Sequence, residues 1–495
     1  MSGLIVLLVV VPLVTAFLLS ITAVPHKVTH ESLMKIRNIL SVCGFITLSG
    51  VLVFLAPDIL SGTVYTYTLG GWETSLGVAL QLDAFSFVIA VISVLVAFLG
   101  MIYSISYMEH IRGMGKYDAL YFLMVTGIMG VLVTRDLFNM YVFIEILSIS
   151  IYILITTGEK KENYLASLKY LILGSLSSAF FLFGVGIIYS VTGSLNMDYA
   201  AEGILTALQK DPDTMYVAFS LLFVSLGVKF SIVPLHFWLP DAHSMAPSPV
   251  SALQSGVVLK VSIYALVRLA TLFGKDFFYI VSPFILYLGV VTVVVGTLLA
   301  LVQHNIKRML AYSTISQIGI IITGIGIGSS LAMTGAIFHI VNHAVMKSGL
   351  FLCAGIIIHQ SGSRKISQLR MGSPGMAVSF LVLSLGIVGI PPLNGFVSKY
   401  IICYGAVQAE YSAVAFIVLG ASILSAVYYF RVLQQLFGVS PWRKGRKKRE
   451  KIIRGKVSRL MSYTVYALAL LSVFLGVFPL IGVKAIDIAL AVIGW

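Results

Sequence analysis

Four lysines and one glutamate lie inside long apolar runs, where an ionised side chain needs a reason. Lys229 stands in SLGVKFSIVPLHFWLPDAH, Lys260 in SGVVLKVSIYAL, Lys347 in AIFHIVNHAVMKSGLF, Lys399 in SLGIVGIPPLNGFVSKY and Glu145 in NMYVFIEILSISIYIL. A charge at mid-helix costs at least about 2.5 to 3.5 kcal/mol on insertion scales, so these five are expected to face a polar interior. The chemistry these residue types support is the holding and passing of protons.

Glu145, flanked by aromatic and aliphatic neighbours, is expected to pair with Lys229. Making or breaking such a pair changes how tightly the lysine holds its proton; the plainer reading is a buried ion pair that only fixes helix packing. Lys229 lies about one turn before Pro234, whose ring removes an N–H and interrupts the helix. A broken helix at membrane depth survives only where its backbone meets water or protein, which predicts a hydrated cavity. His236, just past the break, titrates near neutral pH, although alone it reads equally well as a satisfied interfacial histidine.

His339, His343 and Lys347 are spaced four apart, so they fall along one helical face over roughly 12 Å. Histidines at i and i+4 also suit zinc. No carboxylate or cysteine lies nearby to complete a metal site and the third member is a lysine, so a proton relay is favoured and no metal is expected. Lys260, too far from a helix end to snorkel, is expected to bridge this face to Lys229.

The elements that must position these groups are membrane helices. Hydrophobic residues make up 59% of 495 positions and only 11% are charged, with runs of about 20 apolar residues recurring throughout. Hydropathy predicts one integrated, all-α polytopic membrane domain, residues 1–495, of about fourteen helices. Within it, residues 1–118 hold helices 1–3, 119–272 a first repeat, 278–437 a second repeat, 438–459 a basic loop, and 460–495 helix 14 and the C-terminus. Helix 7 is expected over 215–235, helix 12 over 375–410 and helix 14 over 460–482. The first apolar run, without a basic start or a small-residue cleavage site, reads as a retained helix.

Two prolines or proline pairs support the division into repeats. SLGVKFSIVPL and SLGIVGIPPL share SLG and a proline break, at Pro234 and at Pro391 and Pro392, and each break has a lysine close by. Two Pro-interrupted spans five helices apart are what an inverted-repeat transporter presents, helices 4–8 answering helices 9–13, each with a discontinuous helix.

The net charge of +14 resolves once the charges are placed. Most Lys and Arg follow odd-numbered helices, whereas Asp58, Glu73, Asp83, Asp198, Glu202, Asp211 and Asp213 fall in the opposite loops. This positive-inside pattern predicts a cytoplasmic membrane protein with both termini on the non-cytoplasmic side. The run PWRKGRKKREKIIRGK, 441–456, then reads as a cytoplasmic loop touching lipid headgroups, and no nucleic-acid partner is expected. Cys43, Cys353 and Cys403 occur singly, so neither an iron–sulfur site nor a disulfide framework is expected. Without a Gly-rich phosphate loop, a cofactor motif or a catalytic centre, energy must come from an ion gradient or a partner.

GVKFSIVPLHFWLPDAHSMAPSPVSALQSGVVLK, KRMLAYSTISQIG, FHIVNHAVMKSGLFLCAG and GIPPLNGFVSK, in this order, resemble the antiporter-like subunits shared by respiratory complex I, Mrp-type cation/proton antiporters and membrane-bound hydrogenases. The resemblance implies a fourteen-helix fold with two inverted five-helix repeats and a charged axis along the membrane midplane. It assigns Glu145 and Lys229 to the family's helix-5 glutamate and helix-7 lysine, Lys260 with His339, His343 and Lys347 to the central relay, and Lys399 to the exit side. A lysine at that last position favours the Mrp D-type branch and its hydrogenase-associated relatives. The short stretch after helix 14 is unlike the complex I member with a long lateral helix. Implied partners are other antiporter-like and small membrane subunits, a hydrophilic redox arm, protons, Na+ and lipid. Two other classes fit the sequence less well: a stand-alone ion-coupled solute carrier, which needs a midplane substrate pocket, and a structural membrane subunit whose charges only lock helices.

Overall fold

Backbone amides in lipid must be satisfied within their own segment, and helices do this for each apolar run. The structure, a computed structural model, describes residues 2–23, 30–72, 77–108, 114–370, 373–438 and 457–494. The chain begins with α1 (Leu7–Thr22) and α2 (His30–Leu60), then a hairpin of β1 (Tyr65–Thr68) and β2 (Ala79–Leu82). Next come α3 (Ala84–Tyr107), α4 (Met114–Val133), α5 (Leu137–Thr156), α6 (Lys161–Thr192), α7 (Met197–Lys210) and α8 (Pro212–Phe230). A broken stretch follows: α9 (Leu239–Met245), α10 (Ser248–Leu253), a π-helical turn at Gln254–Val258, and α11 (Leu259–Leu272). The remainder is α12 (Gly274–Leu301), α13 (Ile306–Gly326), α14 (Ser330–Ser361), α15 (Pro374–Val388), α16 (Asn394–Gln408), α17 (Ser412–Leu436), α18 (Arg459–Val477) and α19 (Pro479–Val492).

Among the described residues 13 helices are long and apolar enough to cross a membrane. The stretch 375–410, expected as one span, is α15 and α16 with a break between them. Helix ends are set by local chemistry. Asp83 and Ser86 form a capping box at the start of α3, Ser329 accepts the Ala332 N–H at the start of α14, and Gly193 and Gly362 close α6 and α14 in the left-handed region.

The α10–α11 segment, α13 and α14 are buried over nearly their whole length, whereas α2, α6, α12 and α17 keep exposed apolar faces such as Phe54, Phe183, Tyr287 and Phe416. The middle helix, α14, packs against α3, α10, α13, α15, α16 and α18. Side by side, α12 and α13 come so close that a Cβ on Gly296 would meet the Ser316 backbone and one on Gly319 the Val293 backbone. Lipid offers no hydrophobic drive for association, so such small-residue contacts hold helices together.

Three elements escape the hydropathy reading. The sequence of α7, MDYAAEGILTALQK, carries too many charges for a span and too strong a polar face for a loop. The hairpin strands are four residues each, below any useful window. Helix 14 ends at Val477, not 482, because Pro479 opens a separate helix, α19. Helix 7 likewise ends early, at Phe230, where Ser231 turns into the left-handed region. Most of the basic loop 438–459 lies outside the described residues, as does Glu73.

Asp83, treated as a loop residue on sequence grounds, forms a buried ion pair with Arg268 of α11. Arg268 also donates to Tyr264 Oη at 2.9 Å, and that hydroxyl donates to Leu132 O at 2.8 Å, tying α3, α4 and α11 together. Burial alone would push the Asp83 carboxyl up, yet the Arg268 guanidinium and the Ser86 N–H hold it below the usual carboxylate range. Its contribution is therefore complete above the unfolded value of about 3.9 and lost only as pH falls through the lower folded value. Asp83→Asn, which strands the guanidinium, is expected to cost about 3 to 5 kcal/mol. Thermal unfolding in detergent reads this as a lowered midpoint; an unchanged midpoint would contradict a clamp at this point.

Candidate functional site

Glu145, Ser148 and Tyr152 share one face of α5, and Lys229 meets that face from the last turn of α8. Lys229 Nζ lies 3.5 Å from Glu145 Oε1 and 2.8 Å from Ser148 Oγ. Ser178 of α6 donates to the same Glu145 oxygen and its hydroxyl lies 3.4 Å from Lys229 Nζ. The ammonium is buried while the carboxylate keeps 24% of its side chain exposed. Two hydroxyls thus sit beside the charges, and the lysine's shorter contact is with a serine. The C-terminal end of α8 adds the favourable side of a helix dipole.

The break beyond Lys229 is satisfied by protein. Ile232 N–H bonds Gly227 O at 3.0 Å, Trp238 Nε1 donates to Val228 O at 2.8 Å, and Val233 N–H reaches Thr292 Oγ1 at 3.1 Å. Trp238 stacks on Tyr170 with ring centroids 3.6 Å apart. His236 is buried against Phe237, its Nδ1 without a partner among the described residues.

The centre is assembled on α11, α13 and α14. Lys260 donates to Ser255 O in the π-helical turn, the kind of local widening that recurs at functional sites. His339 has both ring nitrogens engaged, Nδ1 with Ser398 Oγ at 2.9 Å and Nε2 with Gln317 Oε1 at 3.1 Å. His343 stacks one turn away, 6.0 Å between centroids, with neither nitrogen partnered among the described residues. Lys347 donates to Leu310 O at 3.0 Å and Tyr429 Oη at 3.1 Å. His343 and Lys347 are both fully buried and lie one turn apart on the same face of α14.

Lys399, on α16, turns back to the end of α15, donating to Ile387 O at 2.6 Å and to Ser422 Oγ of α17 at 2.9 Å. Gly389 in the left-handed region turns the chain there, with Ile390 N–H bonding Leu385 O at 3.1 Å. Pro391 and Pro392 are exposed and lead into Asn394. Asn394 is tied to α14 through Asn342 and to α18 through Ser472.

The eight candidate side chains are therefore all in the interior except for the partly exposed Glu145. Only Glu145 with Lys229 makes a direct polar contact, and His339 with His343 a ring contact; Lys260 does not touch Lys229. Among the described residues no group of three or more His, Cys, Asp or Glu is placed to hold a metal ion.

Sequence reasoning missed several members. Ser148 was available from its i+3 spacing to Glu145, but Ser178, Gln317, Ser398, Ser422 and Tyr429 are supplied by other helices. Lys307, at the start of α13, is buried and donates to Ala246 O at 2.8 Å. His243 is fully buried, with both nitrogens unpartnered among the described residues, and stacks on Phe351. Gln254 is buried with both amide atoms likewise unpartnered. Nothing in the spacing of these three singles them out.

A family profile described as NADH:quinone oxidoreductase/Mrp antiporter, TM, matches residues 134–425, and one described as NADH-ubiquinone oxidoreductase (complex I), chain 5 N-terminus, matches 71–117. NADH-quinone oxidoreductase subunit N of Desulforudis audaxviator is 34% identical over 443 residues, covering 87% of this chain and 86% of that one. The D-type subunit of the Na(+)/H(+) antiporter of Alkalihalophilus pseudofirmus is 30% identical over 479 residues, covering 96% and 94%. A chain of the Mrp complex from Dietzia sp. superposes with a TM-score of 0.86 at 25% identity, and one of an archaeal membrane-bound sulfane sulfur reductase with 0.88 at 28%, each match covering 99% of this chain and 97% of the other. With the first profile spanning more than half of the sequence, the chain belongs to the NADH:quinone oxidoreductase/Mrp antiporter transmembrane family.

Proposed function

We propose that this chain is a proton-translocating, antiporter-like subunit of a multi-subunit membrane complex. The observation that carries the reading is the buried Lys229 ammonium held between a carboxylate at 3.5 Å and a serine hydroxyl at 2.8 Å. A lysine with two alternative partners has two positions to occupy, and the choice between them depends on the charge near Glu145. At an effective dielectric constant of 20, two unit charges at this separation attract by about 4 to 5 kcal/mol. One charge moved across 100 mV is worth about 2.3 kcal/mol, so opening or closing the pair is large enough to drive a proton step.

Protons taken up near Lys229, with His236 close to the break, pass through Lys260 to the His343, His339 and Lys347 face and leave beside Lys399. Internal water completes the row. His243, Gln254 and His343 each hold buried polar atoms with no partner among the described residues, and such atoms are the ones that buried water serves. The likeness of the two breaks, each closed by an N–H five residues past its acceptor, supports inverted repeats over helices 4–8 and 9–13, within 119–272 and 278–437. The relatives are subunits of an Mrp complex, an archaeal respiratory membrane complex, a Na(+)/H(+) antiporter and an NADH-quinone oxidoreductase, which supports partner membrane subunits here and either an opposing Na+ gradient or a redox arm as the driver. The charge distribution supports a cytoplasmic membrane with both termini outside the cytoplasm.

Lys229→Ala in the assembled complex, reconstituted in proteoliposomes, is expected to lower proton movement more than tenfold while assembly is retained; undiminished transport would end the relay at its first step. Ser178→Ala removes a hydrogen bond to a charged group, a loss of order 1.5 to 3 kcal/mol, and is expected to slow transport by about tenfold or more. A rate equal to wild type would mean the hydroxyl only packs. A reporter that is active only in the cytoplasm is expected to be silent when fused at the C-terminus and active when inserted in 441–456, and the reverse pattern would invert the topology.

A further inference from the structure

We propose that a cavity at the corner between α12 and α13 binds the phosphate of an anionic phospholipid, an assignment independent of the transport reading. The cavity measures about 630 Å³ and is lined by His304, Asn305, Lys365, Ser367, Arg431 and Gln435, together with Ile366. No carboxylate lines it. Its walls are fixed by the backbone: Ile306 N–H bonds Arg364 O at 3.0 Å and Ile366 N–H bonds His304 O at 2.8 Å.

Arg431 supplies the head-group chemistry. Its guanidinium is held at the end of α12 by donating to Leu301 O at 3.0 Å and Gln303 O at 2.5 Å, which uses two of its five N–H donors. Nε is buried and has no partner among the described residues. A phosphate takes up donors of this planar group in a fixed orientation, and the Lys365 side chain adds a second basic group at the rim.

The tail follows from what lies beside the cavity. Leu424, Val427, Arg431 and Gln435 fall on one face of α17, and Leu424 and Val427 are exposed. Leu298 near the end of α12 and Val302, its C-cap two residues before His304 of the cavity wall, are also exposed. The site is thus cationic at the helix ends and apolar along the neighbouring shaft, which fits a phospholipid better than free phosphate or an acidic peptide. Basic pockets between membrane helices on the cytoplasmic side are suited to anionic head groups, and the sequence runs on from α17 into PWRKGRKKREKIIRGK.

The test is native mass spectrometry of the assembled complex taken from nanodiscs of phosphatidylcholine with a minor share of phosphatidylglycerol. Wild type is expected to retain phosphatidylglycerol selectively, Lys365→Gln to lower that retention about fivefold, and Arg431→Lys to weaken it while keeping the charge. Lys365 is exposed, so its variant does not depend on Arg431 holding the end of α12. Equal retention by wild type and Lys365→Gln overturns the proposal, as does equal retention of phosphatidylcholine. Displacement by excess inorganic phosphate overturns the lipid assignment in favour of a free-anion site, and cross-linking from position 365 to an acidic subunit overturns it in favour of a protein contact.

Discussion

A buried ammonium needs oxygen atoms around it, and the irregular backbone of this protein is placed where it provides them. Removing an ion from water costs several kcal/mol even after relaxation, far more than a helix packing contact returns. Among the described residues five lysines are buried, and of these only Lys229 has a carboxylate beside it. The other four are met by carbonyls: Ser255 O for Lys260, Ala246 O for Lys307, Leu310 O for Lys347 and Ile387 O for Lys399. Three of these carbonyls belong to departures from regular helix, namely the π-helical turn, the end of α9 and the end of α15. An unbroken bundle of the same composition would have its carbonyls occupied along the helices, so the breaks and the charges are one feature.

Carbonyl solvation leaves the lysines without fixed counter-charges, and that shapes how the row can work. Lys260, Lys347 and Lys399 are all buried with carbonyl oxygens as partners, and a proton held at one raises the cost of holding a proton at a near neighbour. Like-charge groups at these depths cannot all be ionised together. The Glu145 end differs because it has a partner of opposite sign, is partly exposed, and is loosened by Ser148 and Ser178.

The features written in local patterns were legible in the sequence: apolar runs, intramembrane charges, the i, i+4, i+8 face on α14, and the prolines at 234, 391 and 392. Glu145 and Lys229 were paired correctly because an isolated intramembrane carboxylate has few candidates to meet. What escaped depends on contacts between distant segments. Arg268 and Asp83 each look like an end-of-helix charge, and only their meeting makes a buried pair. Lys307 reads as a charge at a helix start until Ala246 O meets it in the interior. The π-helical turn has no sequence signature at all, and α7 was hidden because its amphipathic face lowers its mean hydropathy. Lys260, expected to bridge the α14 face to Lys229, donates to the carbonyl five residues before it, a partner that its spacing does not announce.

Transport along this chain requires the titratable groups between Lys229 and Lys399 to form one hydrated row. A high-resolution density map of the assembled complex in lipid, read for ordered water at His243, Gln254 and His343, decides it. The expected result is water density on the unpartnered nitrogen and amide atoms of these residues, linking Lys260 to Lys347 and His339 through hydrogen bonds. Side chains packed dry against apolar neighbours, with no density between them, would contradict a continuous row.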